Sequence, residues 1–297
     1  MNLNIGYFAD GQWSHNAFKK LINDKDITIS FVCVRWDTAD NTLKKYCTKH
    51  EIIYLKHPNI NSLEFIQIVK KFNCDIFISM SFNQIFKVEM INLPRLKVIN
   101  CHAGKLPFYR GRNILNWVLI NDEKEFGITV HYVDEGIDTG DIILQRCYPI
   151  TDEDDYSTLL NIAYEECANI LYDAVLLIKT GNVVSITQAS IHSIGSYCVK
   201  RKKGDELMSW RQSSREIFNF VRSICSPSPV ARTSINNVEM KINKVEEINN
   251  SPFYSSNTGT VVQKDKTSFL VKTVDSFIKV VDYEIDFDIK VGDQFDY

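Results

Sequence analysis

The sequence offers little for metal, disulfide or membrane chemistry. Its eight cysteines form no C-x-x-C pair and no His-Cys cluster at zinc spacing, which predicts reduced thiols and no bound metal. No apolar run approaches the roughly 18 residues of a membrane helix. The N-terminus also lacks a basic segment followed by a long apolar one. We therefore expect a soluble cytoplasmic protein with no membrane partner.

Glycine motifs for nucleotide cofactors and a strong charge bias are missing as well. The opening G-Y-F-A-D-G does not have the spacing G-x-G-x-x-G, and G-x-x-x-x-G-K-S does not occur, which argues against nicotinamide and ATP chemistry. Lysine and arginine number 34 against 37 acidic residues, and the net charge is -3. Such a balance predicts no surface that coats nucleic acid, although a local patch could still bind a small anion.

The pattern of apolar residues predicts an α/β fold. The 297 residues, 44% hydrophobic, are enough for one large and one small domain. Strands and helices alternate along the first part of the chain, which predicts a Rossmann-like, mostly parallel sheet. Ser14 is the expected N-cap of the first helix. We predict strands at 3–8, 27–34, 76–79, 96–100, 125–131 and 141–145, and helices at 61–72 and 155–179.

The pattern changes after the basic stretch K-R-K-K-G at 200–204. A helix near 213–224 is followed by short strands with turn residues between them, which predicts a small OB-like β-barrel. The predicted domains are a catalytic domain at 1–199, a linker at 200–210 and a C-terminal domain at 211–297. A homodimer through the C-terminal domain is a further expectation.

Polar residues close the apolar strand that ends near residue 100. Asn100 and His102 share one face of the strand, because residues i and i+2 point the same way, and Cys101 faces the opposite side. An imidazole can exchange protons near neutral pH, and a carboxamide can donate to a developing oxyanion. Asp141, at the end of D-E-G-I-D-T-G-D, is the expected carboxylate that orients the imidazole. His131 lies inside a predicted strand and is interpreted as structural.

Three stretches of the chain resemble the folate-dependent formyltransferases. They are I-N-C-H-A-G-K-L-P-F-Y-R-G-R-N-I-L-N-W from residue 99, G-I-T-V-H-Y-V-D-E-G-I-D-T-G-D-I-I from residue 127, and D-E-L-M-S-W-R-Q-S-S-R-E-I-F-N-F from residue 205. The third resembles the linker and first helix of the family's C-terminal domain. The resemblance implies transfer of a formyl group from 10-formyltetrahydrofolate to an amine, with Asn100, His102 and Asp141 as the catalytic residues and without a metal.

The resemblance also implies where the co-substrates bind. The pterin of 10-formyltetrahydrofolate is expected between the loop at 79–86 and the acidic loop at 134–140. The expected cofactor contacts are Phe82, Ile85, Val133, Asp134 and Asp138, although Phe82 and Ile85 are equally well explained as ordinary core. The expected substrate contacts are Lys105, Arg110 and Arg112, as cations for a diphosphate, and Trp13, as an aromatic platform.

The identity of the amine is left open by the sequence. The first hypothesis is an amino sugar linked to a nucleotide (dTDP, UDP or GDP), whose formylated product would serve surface polysaccharide synthesis. The alternative is the methionyl-tRNA formyltransferases, but residues 200–297 carry 15 basic and 14 acidic side chains, a net charge of only +1. A binding module without activity and formylation of another small molecule are the remaining hypotheses.

Overall fold

The chain folds into two compact units. A computed structural model describes residues 2–38, 40–226 and 229–296. The first unit consists of Met1–Gly111, Phe126–Tyr148 and Asn161–Cys198, and the second of Arg112–Glu125, Pro149–Leu160 and Val199–Tyr297. The second unit thus includes residues 112–125 and 149–160, which the predicted boundary at residue 199 assigns to the catalytic domain.

A seven-stranded sheet forms the centre of the first unit. The strands up to residue 198, within the sheet and outside it, are β1 (Leu3–Ala9), β2 (Ile27–Val34), β3 (Ile53–Lys56), β4 (Ile76–Met80), β5 (Val98–His102), β6 (Arg110–Gly111), β7 (Glu125–Tyr132), β8 (Ile142–Pro149) and β9 (Tyr197–Cys198). The sheet has the order β3-β2-β1-β4-β5-β7-β8, and β6 pairs separately with β9. The first five strands pair in parallel and β7 runs antiparallel to β5, which confirms the predicted Rossmann-like, mostly parallel sheet.

Side-chain caps mark the start of some helices and are missing from others. They are α1 (Gln12–Ile22), α2 (Asn41–Lys49), α3 (Leu63–Lys70), α4 (Val88–Ile91), α5 (Ile114–Ile120), α6 (Tyr156–Thr180), α7 (Gln188–Ile191) and α8 (Ser214–Ser223). Ser62 caps α3 by accepting a hydrogen bond from the Phe65 backbone. The prediction that Ser14 caps α1 is wrong, because α1 begins at Gln12 after Gly11. None of the described helices has both the length and the apolar character that crossing a membrane requires.

The burial of β4 agrees with its central place in the sheet. Every residue of β4 is buried, as expected for a central parallel strand covered by helices on both faces. The sheet order reverses direction between β1 and β4, since β2 and β3 lie on one side and β5 on the other. In parallel sheets a ligand-binding crevice forms at this point, beyond the carboxyl ends of the strands.

An antiparallel sheet forms the second unit together with α5 and α8. Its strands are β10 (Ala231–Ile235), β11 (Val238–Glu247), β12 (Val261–Lys264), β13 (Phe269–Lys272) and β14 (Phe277–Glu284), in the order β10-β11-β14-β13-β12. Both edge regions bridge to the same C-terminal segment, Ser234 with Asp296 and Thr260 with Gln294. This segment closes the sheet and gives it the predicted barrel-like form.

Candidate active site

Two predicted residues stand together at the carboxyl end of β5. Asn100 pairs with Ser79 of β4 on one side and with His131 of β7 on the other. His102 is the last residue of β5 and is buried. Cys101, between them, points away and its thiol donates to the carbonyl of Cys167, as the strand alternation predicts. The sheet therefore holds the carboxamide and the imidazole on one face of its rim.

The carboxylate beside His102 belongs to Asp138 and not to Asp141. Asp138 Oδ2 lies 3.6 Å from His102 Nδ1, and Asp138 Oδ1 lies 3.5 Å from Asn100 Nδ2. The backbone N–H of Gly111 donates to Asp138 Oδ2 at 2.9 Å. Asp138 was expected to contact the folate, so the structure gives this residue the position that the sequence assigned to Asp141.

Asp141 is held elsewhere by the strand ladder. Its carbonyl accepts a hydrogen bond from the Tyr132 backbone at 2.9 Å, which places it at the start of β8. Burial and, to a lesser extent, the Asp141 charge raise the pKa of Tyr132. Asp138 instead lies in the loop before β8 with a φ of 53°, in the left-handed region. This turn brings its carboxylate back over the rim of the sheet.

His131 completes the cluster and was missed as a site residue by the sequence reasoning. It is 2% exposed, and its Nε2 lies 3.2 Å from Asn100 Nδ2 and 3.4 Å from Asp138 Oδ1. The His131 ring therefore contacts both the Asn100 amide and the Asp138 carboxylate. The signal that identifies His131 is the antiparallel pairing of β5 with β7, which makes Asn100 and His131 direct neighbours.

Backbone carbonyls fix the proton positions of both imidazoles. The Tyr109 carbonyl lies 2.7 Å from His102 Nε2, and the Tyr132 carbonyl lies 2.8 Å from His131 Nδ1. A carbonyl only accepts, so each of these nitrogens carries a proton. In the neutral rings, His102 Nδ1 and His131 Nε2 therefore have free lone pairs. The Asn100 amide donates to the lone pair of His131.

Opposing effects act on the ionisation of Asp138. Burial by itself raises the pKa of this carboxyl group, but the neighbouring His102 and His131 rings and the hydrogen bond from the Gly111 N–H outweigh it. The net result is a pKa well below the usual range for aspartate. Asp138 is consequently a carboxylate at neutral pH and can stabilise positive charge on either ring.

Gly104 permits the close approach of the loop that follows β5. A Cβ atom at this position would collide with His102 Nε2 and with the Tyr109 carbonyl. The Gly104 carbonyl also accepts a hydrogen bond from Thr129 Oγ1 at 2.7 Å. The glycine therefore lets the backbone fold tightly enough to place the Tyr109 carbonyl on the imidazole.

The expected folate contacts other than Asp138 have different environments. Phe82 packs against Phe8 with ring centroids 5.6 Å apart, and Val133 packs against the same aromatic cluster. Ile85 is 61% exposed. Asp134 is exposed and accepts from the Gly136 backbone and from Thr139, which shapes the acidic loop. Phe82 and Val133 thus form an apolar patch, while Ile85 and Asp134 lie at the surface.

The environments of the expected substrate contacts differ as well. Trp13 packs edge-on against Tyr164 with centroids 4.9 Å apart, and Lys105 is exposed. Arg112 is exposed and belongs to the second unit. Arg110 precedes Gly111, and its Nε and Nη2 both donate to Gln188 Oε1.

A second polar group lies where the sheet order reverses. Asp10 follows β1 and is buried, its Oδ2 accepts from Thr38 at 3.0 Å, and burial raises the pKa of its carboxyl group. Arg35 donates to the Ser81 carbonyl after β4 at 2.8 Å. Asp10 Oδ1 and Asn83 Oδ1 are buried without a hydrogen-bond partner in the structure. These two oxygens can accept hydrogen bonds from a hydroxyl-bearing ligand.

Across the described residues, no group of three or more His, Cys, Asp or Glu is arranged to hold a metal ion.

Two segments of the chain match known protein families. Residues 15–175, more than half of the chain, match the family described as formyl transferase. Residues 200–288 match the C-terminal domain of formyl transferase. The chain belongs to the formyl transferase family. The cluster around Asn100 and His102 is accordingly the candidate active site of a formyltransferase.

Relatives of this formyltransferase have more than one substrate. It is 33% identical over 226 residues to a methionyl-tRNA formyltransferase of Clostridioides difficile (strain 630), covering 75% of this chain and 70% of the relative. A sugar 3-N-formyltransferase solved with dTDP and 5-N-formyl-THF has a TM-score of 0.72 at 21% identity, covering 97% of this chain and all of that chain. An N-formyltransferase from Helicobacter canadensis, solved with folinic acid and dTDP-3-aminofucose, has a TM-score of 0.70 at 22% identity, covering 96% of this chain and all of that one. These two structures share the fold.

Proposed function

We propose that this formyltransferase moves the formyl group of 10-formyltetrahydrofolate to the amine of a nucleotide-linked amino sugar. The observation that carries formyl transfer is the convergence of Asn100, His102 and Asp138 at the rim of the sheet. Acyl transfer to an amine needs a donor for the oxyanion, a base and a group that stabilises the charged base. The three side chains supply these functions in the order named.

His102 acts through its Nδ1 atom in this proposal. Because Nε2 donates to the Tyr109 carbonyl, the lone pair that accepts the proton of the attacking amine is on Nδ1. Asp138 Oδ2, 3.6 Å away, then stabilises the imidazolium. As the new carbon–nitrogen bond forms and the bond to the folate nitrogen breaks, the same proton passes to the leaving nitrogen. The reaction therefore balances without another reactant.

Asn100 stabilises the formyl oxygen in the same step. Its amide nitrogen donates to His131 Nε2 at 3.2 Å and makes only a long approach of 3.5 Å to Asp138 Oδ1, and these two acceptors lie 3.4 Å apart on the same side of the amide. One amide hydrogen therefore faces both of them, and the second hydrogen is available to the oxygen on which negative charge develops. His131 fixes the rotation of the amide, so the donor does not have to reorganise during the reaction.

Phe82 and Val133 are the apolar wall proposed for the folate. They pack on one aromatic cluster, and a flat heterocycle needs such a wall together with a few polar partners. Ile85 and Asp134 are proposed as contacts at its exposed edge. Lys105, Arg110, Arg112 and Trp13 remain the proposed contacts to the nucleotide.

Charge in the second unit favours a small acceptor over tRNA. A protein that binds tRNA needs many cations free to contact phosphates. Here ion pairs within the unit already engage Arg215, Arg222, Arg232, Lys241 and Lys264. Lys272 is completely buried, and its ammonium donates to the Thr273 carbonyl. These cations would have to leave their partners before they could contact phosphate.

Buried acceptors in the first unit also fit a sugar. Asp10 Oδ1 and Asn83 Oδ1 lie in the loops after β1 and β4, where the sheet order reverses. Sugar hydroxyl groups are donors that would satisfy such oxygens, and phosphate oxygens are not. Formylation of methionyl-tRNA is the second candidate, and the 33% identity to a methionyl-tRNA formyltransferase favours it.

A panel of acceptors separates the two candidates. The enzyme is incubated with 10-formyltetrahydrofolate and dTDP-, UDP- or GDP-linked 3-amino and 4-amino sugars, and in parallel with methionyl initiator tRNA. We expect mass spectrometry to show the gain of one formyl group on at least one sugar nucleotide. Transfer to the tRNA alone would overturn the sugar assignment and keep formyl transfer.

Replacing Asn100 by alanine tests the oxyanion donor. We expect Asn100→Ala to lower kcat about a hundredfold, because a single preorganised donor of this type contributes about 2.7–4 kcal/mol in other enzymes. Single-turnover formylation at saturating levels of both co-substrates measures the effect, and thermal unfolding checks that the variant is folded. A near-normal single-turnover rate would remove Asn100 from the mechanism.

A further inference from the structure

Gln188 is a buried amide that contacts the loop carrying Asp138. It lies on α7 and is 3% exposed. Its Nε2 donates to the carbonyls of Asp138 and Gly140, at 2.8 Å each. Its Oε1 accepts from Nε of Arg110 at 3.0 Å and from Nη2 at 2.6 Å. Both hydrogens and both lone pairs of the amide are therefore used, two on the loop and two on the arginine.

Gln188 is also connected to the Asp138 carboxylate through Arg110 and the residue that follows it. Arg110 is followed by Gly111, whose N–H donates to Asp138 Oδ2. The guanidinium of Arg110 also lies over the ring of Tyr197, 5.3 Å from its centroid, and packs so closely on Gly195 that a Cβ there would collide with it. Asp138 is thus held through its carbonyl by Gln188 and through its carboxylate by Gly111.

We propose that Gln188 is a positioning residue for Asp138 in the formyl-transfer reaction. The inference rests on the proposed function, in which Asp138 stabilises the protonated His102. Asp138 has a φ of 53°, a backbone conformation that aspartate keeps only when its surroundings fix it. The two hydrogen bonds of Gln188 to carbonyls on either side of Thr139 supply that constraint.

An amide suits this position better than a charged side chain of the same size. A glutamate could still accept from Arg110, but it has no hydrogens for the two carbonyls and would repel their oxygens. It would also add a second carboxylate near Asp138. Gln188 instead satisfies the arginine and the loop together without adding charge to the site.

The test uses Gln188→Glu and Gln188→Met in the full chain. Asn4→Leu is the matched control, because Asn4 Nδ2 also donates to two carbonyls, those of Phe72 and Asn73, at the N-terminal end of β1. We expect both Gln188 variants to lower kcat about tenfold or more with little change in the KM for 10-formyltetrahydrofolate, since small displacements of a catalytic group have effects of this size. Asn4→Leu should retain the wild-type kcat even where it lowers Tm equally.

Two further readouts distinguish positioning from general stability. Removing Asp138 from His102 makes the imidazolium less favourable, so the acid-side fall of the kcat–pH profile should move to lower pH in the Gln188 variants only. Backbone hydrogen exchange, measured without substrates, should accelerate in segments 109–113 and 133–141 in those variants and not in Asn4→Leu. An unchanged exchange rate in both segments, or an unchanged pH profile, would overturn the inference. If exchange accelerates while the wild-type enzyme formylates no acceptor, the proposed function fails and the role of Gln188 in holding Asp138 stands.

Discussion

Asp138→Asn should lower kcat on the order of a thousandfold while KM for both co-substrates changes little. The substitution keeps the shape of the side chain and removes its charge, so the imidazolium of His102 loses the carboxylate 3.6 Å from its Nδ1. His131, 3.4 Å from the other oxygen, loses the same partner. Steady-state rates with both co-substrates varied give the two parameters, and single-turnover rates isolate the chemical step.

Asp141→Asn is the matched comparison for that experiment. Asp138 lies in the acidic loop at 134–140 and Asp141 directly follows it, but Asp141 takes part in the β7–β8 ladder through its carbonyl, which the substitution leaves in place. Its kcat should stay close to that of the wild type. The opposite result, a large loss for Asp141→Asn and a small one for Asp138→Asn, would restore the assignment made from the sequence and contradict the arrangement described above.

Asp138→Asn should also change how the stability of the folded enzyme depends on pH. The folded-state pKa of Asp138 is lowered, so its carboxylate stabilises the folded enzyme at pH values above the unfolded-chain pKa, and this contribution is lost as pH falls through the folded-state pKa. Asp138→Asn lacks the contribution at every pH. The difference in Tm between wild type and variant should therefore be largest near neutral pH and shrink in acid.

His102→Ala should lower kcat by about a thousandfold or more. The variant loses both the proton acceptor and the ring that pairs with Asp138, and general base catalysis alone contributes about a hundredfold to ten-thousandfold in other enzymes. Partial recovery of the rate on addition of free imidazole would show that the missing function is proton transfer.

The outcome that contradicts this prediction is equally specific. The space left by the ring adjoins Gly104 and the Tyr109 carbonyl, so loss of activity could also follow from collapse of that loop. His102→Gln keeps a donor toward the Tyr109 carbonyl and serves as the control for loop position. If His102→Gln retained near-normal single-turnover rates, a proton acceptor at this position would not be needed and the mechanism would be wrong.

Alternating apolar segments were sufficient to predict the sheet. The range 27–34 predicted for the second strand coincides with β2, and four of the parallel strands were recognised from β-branched or apolar runs. The strands β6 and β9 were missed because two residues are too short to show any period. β3 was missed because its four residues lie at an edge of the sheet and are half-exposed or exposed, without a continuous buried face.

The site was predicted where local geometry controls it. Asn100 and His102 face one way because strand alternation is a local property. The carboxylate was assigned to the wrong residue because four acidic residues, at 134, 135, 138 and 141, lie close together along the chain, and only the left-handed turn at Asp138 decides which of them points back. Gln188 gave no sequence signal, since a single amide has no motif and its partners lie 48, 50 and 78 residues away.

The hydrogen bonds of Gln188 have a practical consequence for minimal versions of the enzyme. The segment that matches the formyl transferase family ends at residue 175. A fragment trimmed to that limit would keep Asn100, His102 and Asp138, and would discard Gln188 together with β9, the strand that pairs with β6. Such a fragment would preserve every group that meets the substrate and lose the scaffold that aligns one of them, so its inactivity would say nothing against the chemistry.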